Sequence, residues 1–470
     1  MINRSLLTLI SVFFFWGFVA ASNDILIPVF KDALHLEHWQ SQMISFVFYV
    51  AYTVGSVGYF LISRFIGGDI LNRMGYKNGI ALGLLISATG TLLFYPAAET
   101  SSFLLMITGL FIVGLGFSLQ QTAANPLAIV MGDPNKGSQR LSLAGGINNI
   151  GTTIGPLLIS FAIFGSVAAS DNDVSIESVK IPYLILGAAF IAVAVLFRFS
   201  SIPDTITEEN KKQHTTGKSA LSYPQLYLGM IAIFVYVGVE VSTASNLPEF
   251  MKQHLHTPND KIAPFVSLFW ASLMVGRWTS SVGAFEFSDL TRKVLNFVVP
   301  YLAFGFFLAV NLIAGHDITP FYIYAAVILF LIIADMMSKG NPARQLLIFS
   351  VFGIAALITG ILADGMISVY AFISVGLFCS TLWPCIYTLA ITGLGDRTNE
   401  GSSFLIMMIM GGGVISLLQG WLASDNLLGI QNSYIVGVMC FAYLAWYAYR
   451  AGHILRGQGI SFESNKKAGH

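Results

Sequence analysis

The sequence predicts an all-α membrane protein, and three observations carry that prediction. Only 10% of its 470 residues are charged and 55% are apolar, with a mean hydropathy of +0.73. Soluble domains carry about 25% charge, so this chain lacks the polar surface to clothe a water-exposed core. Apolar runs of about 20 residues, long enough to cross a bilayer as helices, recur along the chain. The basic residues between those runs collect on one side of the implied topology.

The first span runs over 5–30. Its apolar run passes Ala20 and Ala21 and reaches Phe30 without a convincing cleavage site, so it reads as a helix and not a signal peptide. Spans follow near 42–66, 79–97, 103–131, 142–168 and 182–200. The stretch from Pro203 to Ser222, with Asp204, Glu208, Glu209, Lys211, Lys212 and Lys218, reads as a solvated linker. Beyond it, spans near 224–251, 262–286, 294–314, 320–338, 344–363, 367–395, 402–423 and 432–452 bring the expected number to about fourteen. With a cytoplasmic N-terminus, 19 of the 24 Lys and Arg fall on cytoplasmic loops or tails, as the positive-inside rule requires. Lys31, Lys180, Lys252 and Lys261 fall outside, and Arg277 lies within a span. One span fewer between 287 and 343 would put Arg397, Arg450, Arg456, Lys466 and Lys467 outside, so an even number is expected there.

Several classes of function are disfavoured. The 24 basic residues are matched by 24 acidic ones, which removes the excess that nucleic-acid binding needs. Cys379, Cys385 and Cys440 sit inside apolar segments, so neither a disulfide framework nor a thiolate metal site is expected. Gly217-Lys218-Ser219 lacks the glycine five residues earlier that a P-loop requires. No cofactor is implied and nothing supports an enzyme.

Polar groups inside spans are costly and mark a lumen or a packed interface. Asp24, Glu240 and Arg277 stand out, each costing about 3 kcal/mol at mid-membrane. A buried Glu240–Arg277 ion pair beside a snorkelling Asp24 would be a purely structural explanation. Carboxylates facing a wet cavity would instead carry an ion or proton. Around them, Gln121 and Asn125, Asn148 and Thr152, and Tyr236, Glu240 and Thr243 recur at helical spacing, and each set shares a face. Trp270 and Arg277, seven apart, are expected to look the same way. Amides, hydroxyls and aromatic faces suit a sugar, whose hydroxyls need donors and acceptors and whose ring faces stack. Any one of these groups is equally explained by an interhelical hydrogen bond; their number favours a cavity.

Prolines mark where helices open. Pro28, Pro126, Pro156, Pro248 and Pro384 deprive the carbonyls of Asp24, Thr122, Thr152, Ala244 and Ser380 of their donors. Broken helices at such points line transporter sites. Gly151 with Gly155, and Gly411, Gly412 and Gly413, would permit close helix contact.

These strings resemble the fucose/galactose/glucose:cation symporter family of the major facilitator superfamily. The resemblance rests on Ser22-Asn23-Asp24-Ile25-Leu26-Ile27-Pro28, on Leu119-Gln120-Gln121-Thr122-Ala123-Ala124-Asn125-Pro126, and on Arg140-Leu141-Ser142-Leu143 leading to Asn148. It continues in Tyr236-Val237-Gly238-Val239-Glu240-Val241, Gly276-Arg277-Trp278, and Gly401-Ser402-Ser403 with the later glycines. It covers roughly residues 10–286 and 340–452. Gly68-Asp69 with Arg73 and Gly75 approximates the superfamily's gating loop after the second span.

The resemblance implies a major facilitator fold of two six-helix halves working by alternating access. The halves would be 1–200 and 224–286 with 344–470, joined by a cytoplasmic linker over 201–223. The segment 287–343 matches no part of the family and would be an inserted transmembrane hairpin, a peripheral packing or oligomerisation element with Asp335 near the interface. Asp24 matches the aspartate that fucose permease uses for protonation-linked binding. Gln121 stands where that permease has a second carboxylate, and the glutamine with Glu240 matches the glucose/galactose branch. The expected coupling residues are therefore Asp24, Glu240 and Arg277. The expected substrate residues are Asn23, Gln120, Gln121, Asn125, Asn148, Asn149, Tyr236, Thr243 and Trp270, with Asp69 and Arg73 in the gate. The partners would be a hexose such as glucose or galactose, with N-acetylglucosamine or fucose as the alternative sugars, and H+ or Na+, in a monomer of the inner membrane with both termini cytoplasmic. Two acids and no all-oxygen cage lean toward H+. A drug or metabolite antiporter is the competitor: Gly151-x-x-x-Gly155-Pro156 resembles part of its motif, but Ser142 and Ser160 replace further glycines. A non-transporting sensor or scaffold, supported only by the extra hairpin, would bind ligand without flux.

Overall fold

A computed structural model describes residues 6–19, 38–66, 70–164, 180–200, 202, 219–424 and 426–462. Asp24, Asn23, Pro28 and Asp69 lie outside them, as does the linker over 203–218. The first half contains α1 (Leu6–Val19), α2 (His38–Phe65), the short α3 (Ile70–Met74), α4 (Tyr76–Leu92), α5 (Phe94–Glu99), α6 (Phe103–Val130), α7 (Gly137–Phe164) and α8 (Lys180–Arg198). After the linker come α9 (Pro224–Leu255), α10 (Asn259–Ser281), α11 (Asp289–Ile313), α12 (Tyr324–Ser338) and α13 (Pro342–Leu362). The chain then runs through α14 (Gly365–Cys379), α15 (Leu382–Ile391), α16 (Thr398–Met407), α17 (Gly411–Leu422), α18 (Gly429–Asn432) and α19 (Ile435–Gly457).

Among the described residues, ten helical stretches are long and apolar enough to cross a membrane, including Asp289–Ile313 and Thr319–Ser338. Their outer faces carry residues such as Ile185, Leu302 and Leu312, each more than half exposed, which is the surface a lipid solvent covers without cost.

The two halves pair in the same order. In the first, α4 packs on α6 and α8, and α6 packs on α2; in the second, α13 packs on α14 and α19, and α14 packs on α10. Close approach is made the same way in both. A Cβ at Gly151 of α7 would sit 2.2 Å from the Phe14 carbonyl oxygen of α1, and one at Gly411, where α17 begins, 2.0 Å from that of Phe234 of α9. Only glycine allows these helices to lie backbone to backbone.

α11 and α12 stand outside this repeat. They join the second half through the buried Tyr324 hydroxyl, 2.7 Å from Ser272 Oγ of α10, and through Asp335, whose Oδ1 accepts from Gln345 Nε2 of α13 at 3.2 Å. Asp335 is thus held against a neighbouring helix.

Contacts between the halves gather at the end of the bundle that carries the linker. Tyr76 donates to Asn399 Oδ1 at 2.7 Å, Trp278 Nε1 to the Gly146 carbonyl at 3.1 Å, and Lys136 lies 3.7 Å from Glu286. The cavity described next opens where α2 and α7 of one half face α9, α10 and α15 of the other.

Candidate functional site

The central cavity has a volume of about 260 Å³. That is near the lower end of the roughly 300–1,000 Å³ usual for ligand sites, so it suits a small molecule. Gln121, Asn125, Asn148, Tyr236, Glu240 and Arg277 line it, together with the aromatic residues Phe13, Trp16, Phe48, Tyr49, Tyr52 and Trp383.

Helical spacing accounts for much of this wall. Gln121 and Asn125 occupy one face of α6, and Tyr236 and Glu240 are stacked one turn apart on α9, where the tyrosine hydroxyl donates to the Glu240 carboxylate. Gln121 Nε2 donates to the Tyr52 hydroxyl at 2.8 Å, and Asn148 Nδ2 to the Phe13 carbonyl at 2.9 Å. Each amide thereby spends one N–H on the protein and keeps its oxygen as an acceptor. Asn125 Nδ2 is buried toward the Tyr387 hydroxyl without completing a hydrogen bond to it.

Arg277 shares the cavity with Glu240, and the two form no ion pair. Its Nη1 instead donates to Asn149 Oδ1 across the interface at 2.9 Å. Its Nε donates to the Ser380 carbonyl at 3.2 Å, the acceptor that Pro384 strips of its helical donor. The helix is broken at the same point, between α14 and α15. The guanidinium therefore bridges both halves and a helix break while facing the cavity.

Several expectations need correction. Gln120 is fully buried away from the cavity: its Oε1 accepts from Trp16 Nε1 at 2.6 Å and its Nε2 donates to Ser87 Oγ at 2.9 Å. It directly precedes Gln121, and about 100° of helical rotation turns it to a different neighbour. Thr243 is buried behind the wall with an unpaired hydroxyl. Trp270 is 39% exposed on the outside, because the face that α7 covers at Arg277 is open two turns earlier. Asn149 positions Arg277 and is not part of the cavity wall. Arg73 is exposed and donates to the Ile66 carbonyl at 2.7 Å. The roles expected of Asp24, Asn23 and Asp69 fall outside the described residues.

Sequence reasoning missed Trp16, Tyr52 and Trp383. Trp383 adjoins the break before α15 and packs 6.2 Å, ring to ring, from Tyr236. The available signals were the Trp383-Pro384 pair in mid-span and the three-residue spacing of Tyr49 and Tyr52.

A bundle of apolar helices in two similarly paired halves, enclosing a small polar cavity at their interface, defines a multi-pass membrane transporter. The chain belongs to the Major Facilitator Superfamily, whose family model matches residues 5–417. It is 32% identical over 445 residues to the glucose/galactose transporter of Brucella abortus, covering 94% of this chain and 93% of that one. It is 27% identical over 461 residues to the L-fucose-proton symporter of Escherichia coli, covering 94% and 91%. The crystal structure of the superfamily transporter FucP in the outward conformation superposes with a TM-score of 0.74 at 24% identity, covering 96% of this chain and 99% of that one. That likeness shows the fold.

Proposed function

We propose that the chain is a secondary active sugar:cation symporter that imports a hexose such as glucose or galactose by alternating access, coupled to H+, with Na+ as the alternative ion. The observation that carries this reading is the chemistry of the cavity. Uncharged acceptors on Gln121 and Asn148 and the ring of Trp383 suit a neutral polyol, and the names of the Brucella and Escherichia relatives agree with it.

Glu240 and Asp24 are the coupling residues, and Arg277 sets their balance. A carboxylate in a low-dielectric cavity with one hydroxyl donor and no ion pair is costly until a cation joins it. Ion and sugar then stabilise the same occluded state, which couples their binding. Gln121 cannot titrate, so the two-carboxylate arrangement of a fucose permease does not apply. In this reading the chain crosses the inner membrane fourteen times as a monomer with both termini cytoplasmic. Residues 1–200 and 224–286 with 344–470 form the halves, 287–343 an inserted transmembrane hairpin, and Asp69 with Arg73 part of the gate.

The test is a binding screen of a dozen monosaccharides on the purified protein. A hexose of the glucose/galactose type should bind. Binding of lipophilic cations with no sugar would replace this reading with the antiporter one.

A further inference from the structure

A second cavity of about 310 Å³ lies toward the linker end. Among its lining residues are Tyr59, Ser63 and Arg64 of α2, Thr122 of α6, and Asn399 and Ser403 of α16. It shares α6 with the central cavity but is lined by a different stripe of that helix, Leu119 and Thr122 against Gln121 and Asn125. Between the two walls runs a chain of buried polar groups. Asn125 adjoins the Tyr387 hydroxyl, Tyr387 is hydrogen-bonded to Ser402, and Ser402 Oγ donates to the Thr122 carbonyl at 2.8 Å.

That carbonyl is the one Pro126 leaves without a helical donor, and the hydroxyl that satisfies it comes from the other half of the molecule. Tyr387, Ser402 and Thr122 are each no more than 1% exposed, so no water replaces the bond while the halves stay together. The bond is therefore conditional on the relative position of the halves, unlike the backbone bonds within each helix. When α16 moves away from α6, the Thr122 carbonyl is released and must be met by water or ligand.

We propose that the second cavity is the linker-side chamber of the same pathway, a station for the same neutral polyol, and that Tyr387–Ser402–Thr122 is the latch that divides it from the central cavity. Within the chamber Arg397 is paired with Glu400 at 3.3 Å and Glu400 also accepts from Ser219 at 2.8 Å, while Arg64 and Asp396 line the same space. The proposal rests on the transport reading for the identity of the ligand, but the latch itself is testable without any sugar.

The test places a reporter thiol in the central cavity by Ile409→Cys, a position that lines the cavity and is partly exposed, in full-length protein in inside-out vesicles. Cys379, Cys385 and Cys440 are buried, so a charged, membrane-impermeant maleimide reads the new position. Adding Ser402→Ala should speed labelling from the linker face about fivefold, the population shift that corresponds to one hydrogen bond of about 1 kcal/mol. Ser402→Thr, which keeps the hydroxyl, should label at the parental rate. Tyr387→Phe, which leaves Ser402 without its second partner, gives an independent reading in the same direction. Parental labelling rates in both folded Ser402→Ala and Tyr387→Phe would overturn the latch. Failure of every monosaccharide to protect the reporter, with the rates ordered as expected, would instead overturn the sugar assignment and leave the latch standing.

Discussion

At the residue scale, the function turns on a few side chains whose partners come from distant parts of the chain. Glu240 has one hydroxyl partner and no direct ion pair, with Arg277 across the same cavity. Glu240→Gln should therefore abolish sugar accumulation against a gradient, by at least tenfold, while equilibrium counterflow survives; Asp24→Asn should do the same. Retention of gradient-driven accumulation in either variant would remove that residue from the coupling role. Trp383 offers its ring beside Tyr236, and Trp383→Ala should weaken hexose binding about tenfold in calorimetry, in line with the roughly 0.5–1.5 kcal/mol that aromatic contacts contribute. Part of this was legible in the sequence. Gln121 with Asn125 and Tyr236 with Glu240 share helix faces that spacing alone specifies. Spacing does not say which neighbour covers a face, and so it does not distinguish Gln120 and Trp270, which do not line the cavity, from the residues that do. Nor does it locate Trp383, which sits where regular helical geometry is interrupted.

At the element scale, prolines and glycines decide how the helices meet. The sequence identifies which carbonyls Pro126 and Pro384 release, because that is local backbone chemistry. It does not identify their partners, since Ser402 is 280 residues from Thr122 and Arg277 is 103 from Ser380. Pro384→Ala would restore an N–H that competes with Arg277 for the Ser380 carbonyl. It should raise the melting temperature by a few degrees as a helix-breaking residue is removed, yet cut hexose uptake at least fivefold as the guanidinium loses its anchor. Unchanged uptake would show that the anchor does not matter. The same locality explains why helix positions were legible and their interruptions were not. The apolar runs near 367–395 and 402–423 read as single spans, but the first divides at Ser380–Thr381 and the second at Met408–Met410, where hydropathy does not change.

At the scale of the whole molecule, two halves that pair alike enclose a cavity, and among the described residues contacts between them such as Tyr76–Asn399 and Lys136–Glu286 lie on the linker side of it. Arg277 donates to both halves, and Ser402 satisfies a carbonyl of the half to which it does not belong, so both report their relative position. α11 and α12 fall outside the repeat and grip α10 and α13 through Tyr324 and Asp335. They would move with the second half. The low charge of the sequence announced a membrane protein, but only the assembled structure shows that Glu240 and Arg277 face one cavity unpaired.

The central claim is that sugar movement is coupled to a cation. Purified protein in liposomes, with either a pH or a Na+ gradient imposed across the membrane, tests it most directly. The account predicts that glucose or galactose accumulates inside when the outside is acidic, with Na+ taking that role if it is the coupling ion, and that accumulation collapses when the gradient is dissipated. Sugar accumulation indifferent to both gradients would contradict it.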